Sequence, residues 1–185
     1  NKTIKSSRIS AKPMKAPASG ISAIRVDAAK CSGCRYCEMW CSYKHEGVFS
    51  SSLSRVTVVR DVRIGLDYPV ICRFCEPAPC MEACPTGSIQ RNDKGAIVVV
   101  EETCSGCGNC INSCPYGAIK MHKIKGVPIV CDLCGGEPEC VKRCPMNALT
   151  FRRFEVKALK IPDPAYSYAL REFAEQARRW GVNVE

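Results

Sequence analysis

Only two histidines, His45 and His122, occur among the 185 residues, and no stretch approaches the ~20 apolar residues of a transmembrane helix. No apolar run of the secretory kind is present near the N-terminus. The arginine pairs Arg152–Arg153 and Arg178–Arg179 lie too far along the chain to be a twin-arginine signal. A Gly-rich phosphate loop, a hydrolytic triad and a carboxylate pair are missing as well, which removes the usual bases for nucleotide binding and for acyl or glycosyl transfer. These absences predict a cytoplasmic chain without a membrane span that turns over no substrate itself.

Cysteine, by contrast, is abundant: sixteen residues stand in four groups of four. Cys31, Cys34, Cys37 and Cys41 form the first group, and Cys104, Cys107, Cys110 and Cys114 the third. Both read C-x2-C-x2-C-x3-C, the run that ligates iron–sulfur clusters in bacterial ferredoxins. The second group (Cys72, Cys75, Cys80, Cys84) and the fourth (Cys131, Cys134, Cys140, Cys144) keep the flanks and widen the middle gap. Pro85, Pro115 and Pro145 follow the last cysteine of three groups, where proline stops a short helix and returns the chain to a strand. Ser42 stands at that position in the first group.

Each iron corner of a cubane takes one soft thiolate. Three cysteines at steps of three supply three corners of one cluster. The fourth lies about one helical turn further on and points away, so groups must work in pairs. Spacing alone allows the first group to pair with the second and the third with the fourth, or the first with the fourth around the other two. Sixteen thiolates match four [4Fe-4S] clusters. Disulfides fit poorly, because disulfide scaffolds are usually shorter chains without a four-fold CxxC repeat. Zinc is the stronger rival, but four-thiolate zinc sites draw two cysteines from each of two separated hairpins, which leaves the third and fourth cysteines of every group unexplained. With every corner filled by thiolate, neither histidine is needed as a ligand. A surface role or a hydrogen bond near a cluster is expected instead. Met39 and Trp40, beside Cys41, are expected to shield a cluster from water.

The formal charge of +9 would suggest nucleic acid. Sixteen thiolates remove sixteen charges and four oxidised cores at about +2 return eight, leaving about +1, and the suggestion of nucleic acid fades. Basic residues concentrate in residues 1–30, with seven Lys/Arg against Asp27 alone. An acidic, cluster-filled body with a basic arm suits docking between subunits.

Short β-prone runs precede the four groups, at Ala23–Val26, Pro69–Ile71, Ala96–Val100 and Pro128–Val130. Three groups are followed by CPTGSI, CPYGAI and CPMNAL, an internal repeat. Asn92–Gly95 reads as a hairpin turn, and Lys125–Gly126 as another. Residues 1–22 read as an extended basic arm. Asp163–Pro164 reads as a helix start, with Tyr166, Leu170, Phe173, Ala177 and Trp180 on one face and Gly181 at the end.

Taken together, the cysteine signature over residues 20–155 resembles the four-cluster, ferredoxin-like electron-transfer subunits of molybdenum and tungsten oxidoreductases and some hydrogenases. The stretches C-R-Y-C-E-M-W-C-S-Y-K-H-E-G (Cys34–Gly47) and S-L-S-R-V (Ser52–Val56) resemble the small polyferredoxins that partner tungsten enzymes of the aldehyde:ferredoxin oxidoreductase type, including a benzoyl-CoA reductase class. This resemblance implies an α+β fold of two dicluster modules: an outer one from residues 23–71 with 131–155, and an inner one from 72–130, followed by a tail with a helix at 156–185. It implies that the first and fourth groups pair. One cluster then takes Cys31, Cys34, Cys37 and Cys144, and a second takes Cys131, Cys134, Cys140 and Cys41. A third takes Cys72, Cys75, Cys80 and Cys114, and a fourth takes Cys104, Cys107, Cys110 and Cys84. The implied partners are a large tungsten (or molybdenum) pterin catalytic subunit and an FAD- and nicotinamide-linked subunit. The alternatives are a formate dehydrogenase, DMSO reductase-type or hydrogenase partner, a free polyferredoxin, and a self-associating filament that doubles as scaffold.

Overall fold

The computed structural model describes residues 21–154, Ile64 excepted. The expected arm up to residue 20 and the expected helix at 163–181 lie outside the described residues. No helix among the described residues is long and apolar enough to cross a membrane.

Among the described residues, eight strands form four two-stranded antiparallel sheets. β1 (Ile21–Val26) pairs with β8 (Leu149–Phe154), which joins the two ends of the described chain. β2 (Thr57–Asp61) pairs with β3 (Leu66–Val70), β4 (Ile89–Arg91) with β5 (Ile97–Val99), and β6 (Lys120–Met121) with β7 (Pro128–Ile129). The turns expected at Asn92–Gly95 and Lys125–Gly126 join the last two sheets. In the first of these turns the Asn92 side chain accepts the Lys94 and Ala96 N–H groups, the local bonding that makes asparagine a turn residue. β1 begins at Ile21, so the last two residues assigned to the arm are strand.

The hairpin β2–β3 was not among the expected elements. Val58 is buried while Arg60, two positions on, is exposed and faces Asp67 directly across the ladder. The Arg60 guanidinium holds that carboxylate at 2.6 Å and also donates to the Gly33 carbonyl at 3.3 Å, tying the loop of the first cysteine group to the sheet.

Four helices each carry part of a cysteine group. α1 (Tyr36–Glu46) has eleven residues, whereas α2 (Pro79–Glu82), α3 (Asn109–Asn112) and α4 (Glu139–Lys142) are single turns. The difference traces to Ser42. Where proline follows the fourth cysteine the helix stops, but Ser42 keeps its N–H, and α1 runs on to Gly47, a left-handed residue whose N–H bonds the Tyr43 carbonyl. Ser42 is fully buried; its hydroxyl donates to the Met39 carbonyl and accepts the Ser50 N–H, both at 2.9 Å. After the short helices the three Cys-Pro turns are alike: Gly87, Gly117 and Asn147 donate back to Cys84, Cys114 and Cys144. α1 packs against α4, and α2 against α3. One buried set, including Ile24, Val56, Leu66, Phe74, Ile97 and Leu133, runs between these elements and the cysteines.

Candidate metal centre

Two hollows open between the elements, and each is ringed by four cysteines. The first is lined by Cys31, Cys34, Cys37 and Cys144, with Tyr36 and Met146 among the apolar residues around them. Cys31 follows the turn Ala28–Lys30, Cys37 sits on the first turn of α1, and Cys144 closes α4. The second is lined by Cys72, Cys75, Cys80 and Cys114, with Ile97, Tyr116 and Ile119. Each ring combines three cysteines of one group with the last cysteine of another.

Cys41, one turn along α1 from Cys37, joins a third gathering. The charge of Cys41 bears on the thiols of Cys131, Cys134 and Cys140 alike. In a fourth, Cys84 and Cys104 both bear on Cys110. Cys107 lies exposed on the same loop. The gatherings also touch one another: Cys140 is within electrostatic reach of Cys37, and Cys131 of Cys72. None of the sixteen cysteines forms a disulfide.

Most of these thiols resist ionisation. Burial, then Glu38 and Cys31, pushes Cys37 up to about 12. Burial, followed by Cys114 and Cys75, pushes Cys80 to about 11. Burial likewise raises Cys72, Cys131 and Cys140, with neighbouring thiols adding to it. Cys84 is the exception. Desolvation works upward there, but hydrogen bonds from Thr86 and from the Ile89, Thr86 and Ser88 backbone outweigh it and bring the thiol to about 7. Soft sulfur donors crowded in fours around apolar hollows cannot all be thiolates unless cationic iron compensates them, and this donor set fits a [4Fe-4S] cluster. Backbone N–H groups already point at sulfur: Arg55 N at 3.3 Å from Cys41, Phe74 N at 3.5 Å from Cys72, Gly106 N at 3.5 Å from Cys104 and Ala148 N at 3.3 Å from Cys144.

His45 sits at the third gathering, its Nε2 3.5 Å from the Cys134 sulfur and 3.4 Å from Asp132 Oδ1. Burial, and then Arg55, hold its pKa below the usual histidine value. His122 is buried elsewhere; its Nδ1 accepts the Ile124 and Lys125 N–H groups while Nε2 faces Glu46 at 3.4 Å. Trp40 belongs to a surface aromatic group, meeting Tyr36, Tyr43 and Phe49 edge-on with the Arg143 guanidinium 4.1 Å above its ring. Spacing gave no sign of three residues that shape the site. They are Arg55, fourteen positions from Cys41; Asp132, whose carboxylate accepts the Cys134 N–H at 3.0 Å; and Glu38, buried beside Cys37 with the Val58 N–H at 2.6 Å.

Residues 65–154 match the family model of a 4Fe-4S dicluster domain. A polyferredoxin-like subunit of an aliphatic sulfonate oxidoreductase from Pyrococcus furiosus is 43% identical over 86 residues, covering 46% of this chain and 49% of that one. The electron transport protein HydN of Escherichia coli is 43% identical over 91 residues, covering 45% and 50%. The chain thus spans about half the length of the curated relatives it matches. Among solved structures, the active site complex BamBC of benzoyl coenzyme A reductase with benzoyl-CoA aligns at 25% identity over 85% of this chain and 91% of that chain, with a TM-score of 0.45.

Proposed function

We propose that this chain, an iron–sulfur protein of the ferredoxin-like 4Fe-4S kind, is the electron-transfer subunit of an oxidoreductase complex and carries four [4Fe-4S] clusters. The observation that carries the reading is the gathering of cysteines into rings that draw three members from one group and the last from another. The first ring would hold one cluster through Cys31, Cys34, Cys37 and Cys144, and the second another through Cys72, Cys75, Cys80 and Cys114. Cys41, Cys131, Cys134 and Cys140 would hold a third, and Cys84, Cys104, Cys107 and Cys110 a fourth. In this arrangement an outer dicluster module, residues 23–71 with 131–155, encloses an inner one at 72–130. Bound clusters supply one-electron carriage.

The chain's own residues fix order and access. The reach of Cys37 to Cys140, and of Cys131 to Cys72, supports an order in which the rings would stand in series. Cys34 and Cys107, the exposed thiols, belong to the sets at the two ends, while Cys72, Cys131 and Cys140 are buried in the middle. Electrons would enter at one end and leave at the other, with water excluded between.

The favoured partner is a tungsten-pterin catalytic subunit of the aldehyde oxidoreductase type in the cytoplasm, with a flavin subunit or ferredoxin as acceptor. The stretch Cys34–Gly47 supports it, and the relative named as a polyferredoxin-like subunit of a sulfonate oxidoreductase supports a place beside an oxidoreductase. The likeness to HydN and, at 36% identity over 81 residues, to subunit 2 of formate hydrogenlyase supports a second reading, a molybdenum enzyme or hydrogenase. Anaerobic purification from the native host, with iron, sulfide, tungsten and molybdenum quantified, tests both. About sixteen irons per chain (four per cubane) with tungsten in a copurifying large subunit is the expected result. Molybdenum or nickel there would favour the second reading, and zinc in place of iron would overturn the clusters.

A further inference from the structure

Two donors converge on the third gathering. His45 Nε2 lies 3.5 Å from the Cys134 sulfur. Once that sulfur ligates iron it carries no proton and can only accept, so Nε2 must bear the hydrogen. Arg55 approaches from the other side: its backbone N–H donates to the Cys41 sulfur at 3.3 Å, and its side chain is mostly buried. One guanidinium nitrogen, Nη1, is buried without an acceptor, while the other reaches Glu46 only at 4.0 Å. An orphaned guanidinium N–H is costly, and its charge is felt at both Cys41 and Cys134.

We infer that His45 and Arg55 are positioning donors for the cluster bound by Cys41, Cys131, Cys134 and Cys140, and that together they raise its reduction potential. Reduction adds a negative charge to a buried cluster, and a nearby cation and N–H donors stabilise the reduced form more than the oxidised one. Asp132 works against this effect, since its charge bears on both Cys41 and Cys134, and the raised potential is what His45 and Arg55 add against it.

The inference rests on the four-cluster reading, and its test is separable from it. Holoprotein is prepared anaerobically, its iron counted, and its clusters titrated potentiometrically under EPR for wild type, His45→Phe, Arg55→Met, the double variant and Arg55→Lys. One midpoint of the set is expected to move to more negative potential in each of the first two variants and further in the double, and to stay near wild type in Arg55→Lys. Unchanged midpoints at full iron content, or all midpoints shifting together, would overturn it. Where a variant loses iron, wild-type protein with 15N-labelled histidine decides. Pulsed EPR of the reduced protein is expected to show weak 15N coupling to one cluster, and its absence sinks the role of His45. A wild-type protein short of about sixteen irons contradicts the four-cluster reading itself.

Discussion

The carbonyl oxygen of Gly126 lies 2.8 Å from the point where a side chain on Gly106 would begin. Gly106 is at φ +68 between Cys104 and Cys107, so alanine there meets both a left-handed backbone and a rigid neighbour. Gly108, two residues on at φ +78, has open space at the same point. The left-handed backbone costs about 1–2 kcal/mol in either case. Gly106→Ala is therefore expected to lower the thermal midpoint of the holoprotein clearly more than Gly108→Ala, and to lose iron sooner. Equal midpoints would remove the clash from the account.

Ser42→Pro restores the residue that follows the fourth cysteine in the other three groups, and it should harm this one. Proline inside α1 costs about 3 kcal/mol or more, and loss of the hydroxyl leaves the half-buried Ser50 N–H without its acceptor, about 1 kcal/mol. Ser42→Ala should carry only the second cost. Denaturant midpoints of the two variants check the order, and a proline variant as stable as the alanine one would refute it.

Glu38 fastens the hairpin β2–β3 to α1 by accepting the Val58 N–H at 2.6 Å. Glu38→Leu leaves that buried donor unpaired and is expected to cost about 1–3 kcal/mol, whereas Glu38→Gln keeps an acceptor and should cost less. Hydrogen exchange at the Val58 amide reads this directly: acceleration in the leucine variant is expected, and unaltered protection would count against the bond.

Removing the iron should reverse the response to pH. In the folded apoprotein, burial holds Cys37 near 12 and Cys80 near 11, against an ordinary value of 9.0. A folded pKa above the unfolded one gives stability that is present below about pH 9 and lost as pH rises toward 12. Iron binding needs those same protons gone, so the holoprotein is expected to release iron faster as pH falls. Chelator-release rates at several pH values, and circular dichroism of the apoprotein over the alkaline range, test both signs. Iron release that is independent of pH would contradict the raised thiols.

Local chemistry was readable before the structure. The cysteine rings have a spacing that only a polynuclear sulfur site explains, and the turns at Asn92–Gly95 and Lys125–Gly126 carry their own residues. Ser42 marked the first group as different, but its effect, a long α1, depends on a buried hydroxyl pinned to Ser50. The pairing of β1 with β8 joins segments more than 120 residues apart, and no periodicity in L-T-F-R-R-F announces its partner. β2–β3 had an alternating signal at Val56 and Val58, obscured by the polar residues around it. Arg55 and Asp132 gained meaning only through folding, since one meets Cys41 across fourteen positions and the other turns its carboxylate onto the Cys134 N–H beside His45.

The ladder between Ile21 and Phe154 has a consequence for how such a unit comes apart. Strands 123 to 133 positions apart in sequence, zipped side by side, tie the first cysteine group to the fourth. Strain or unfolding that opens this one ladder is therefore felt at both groups at once, while the hairpins between them keep their own local pairing.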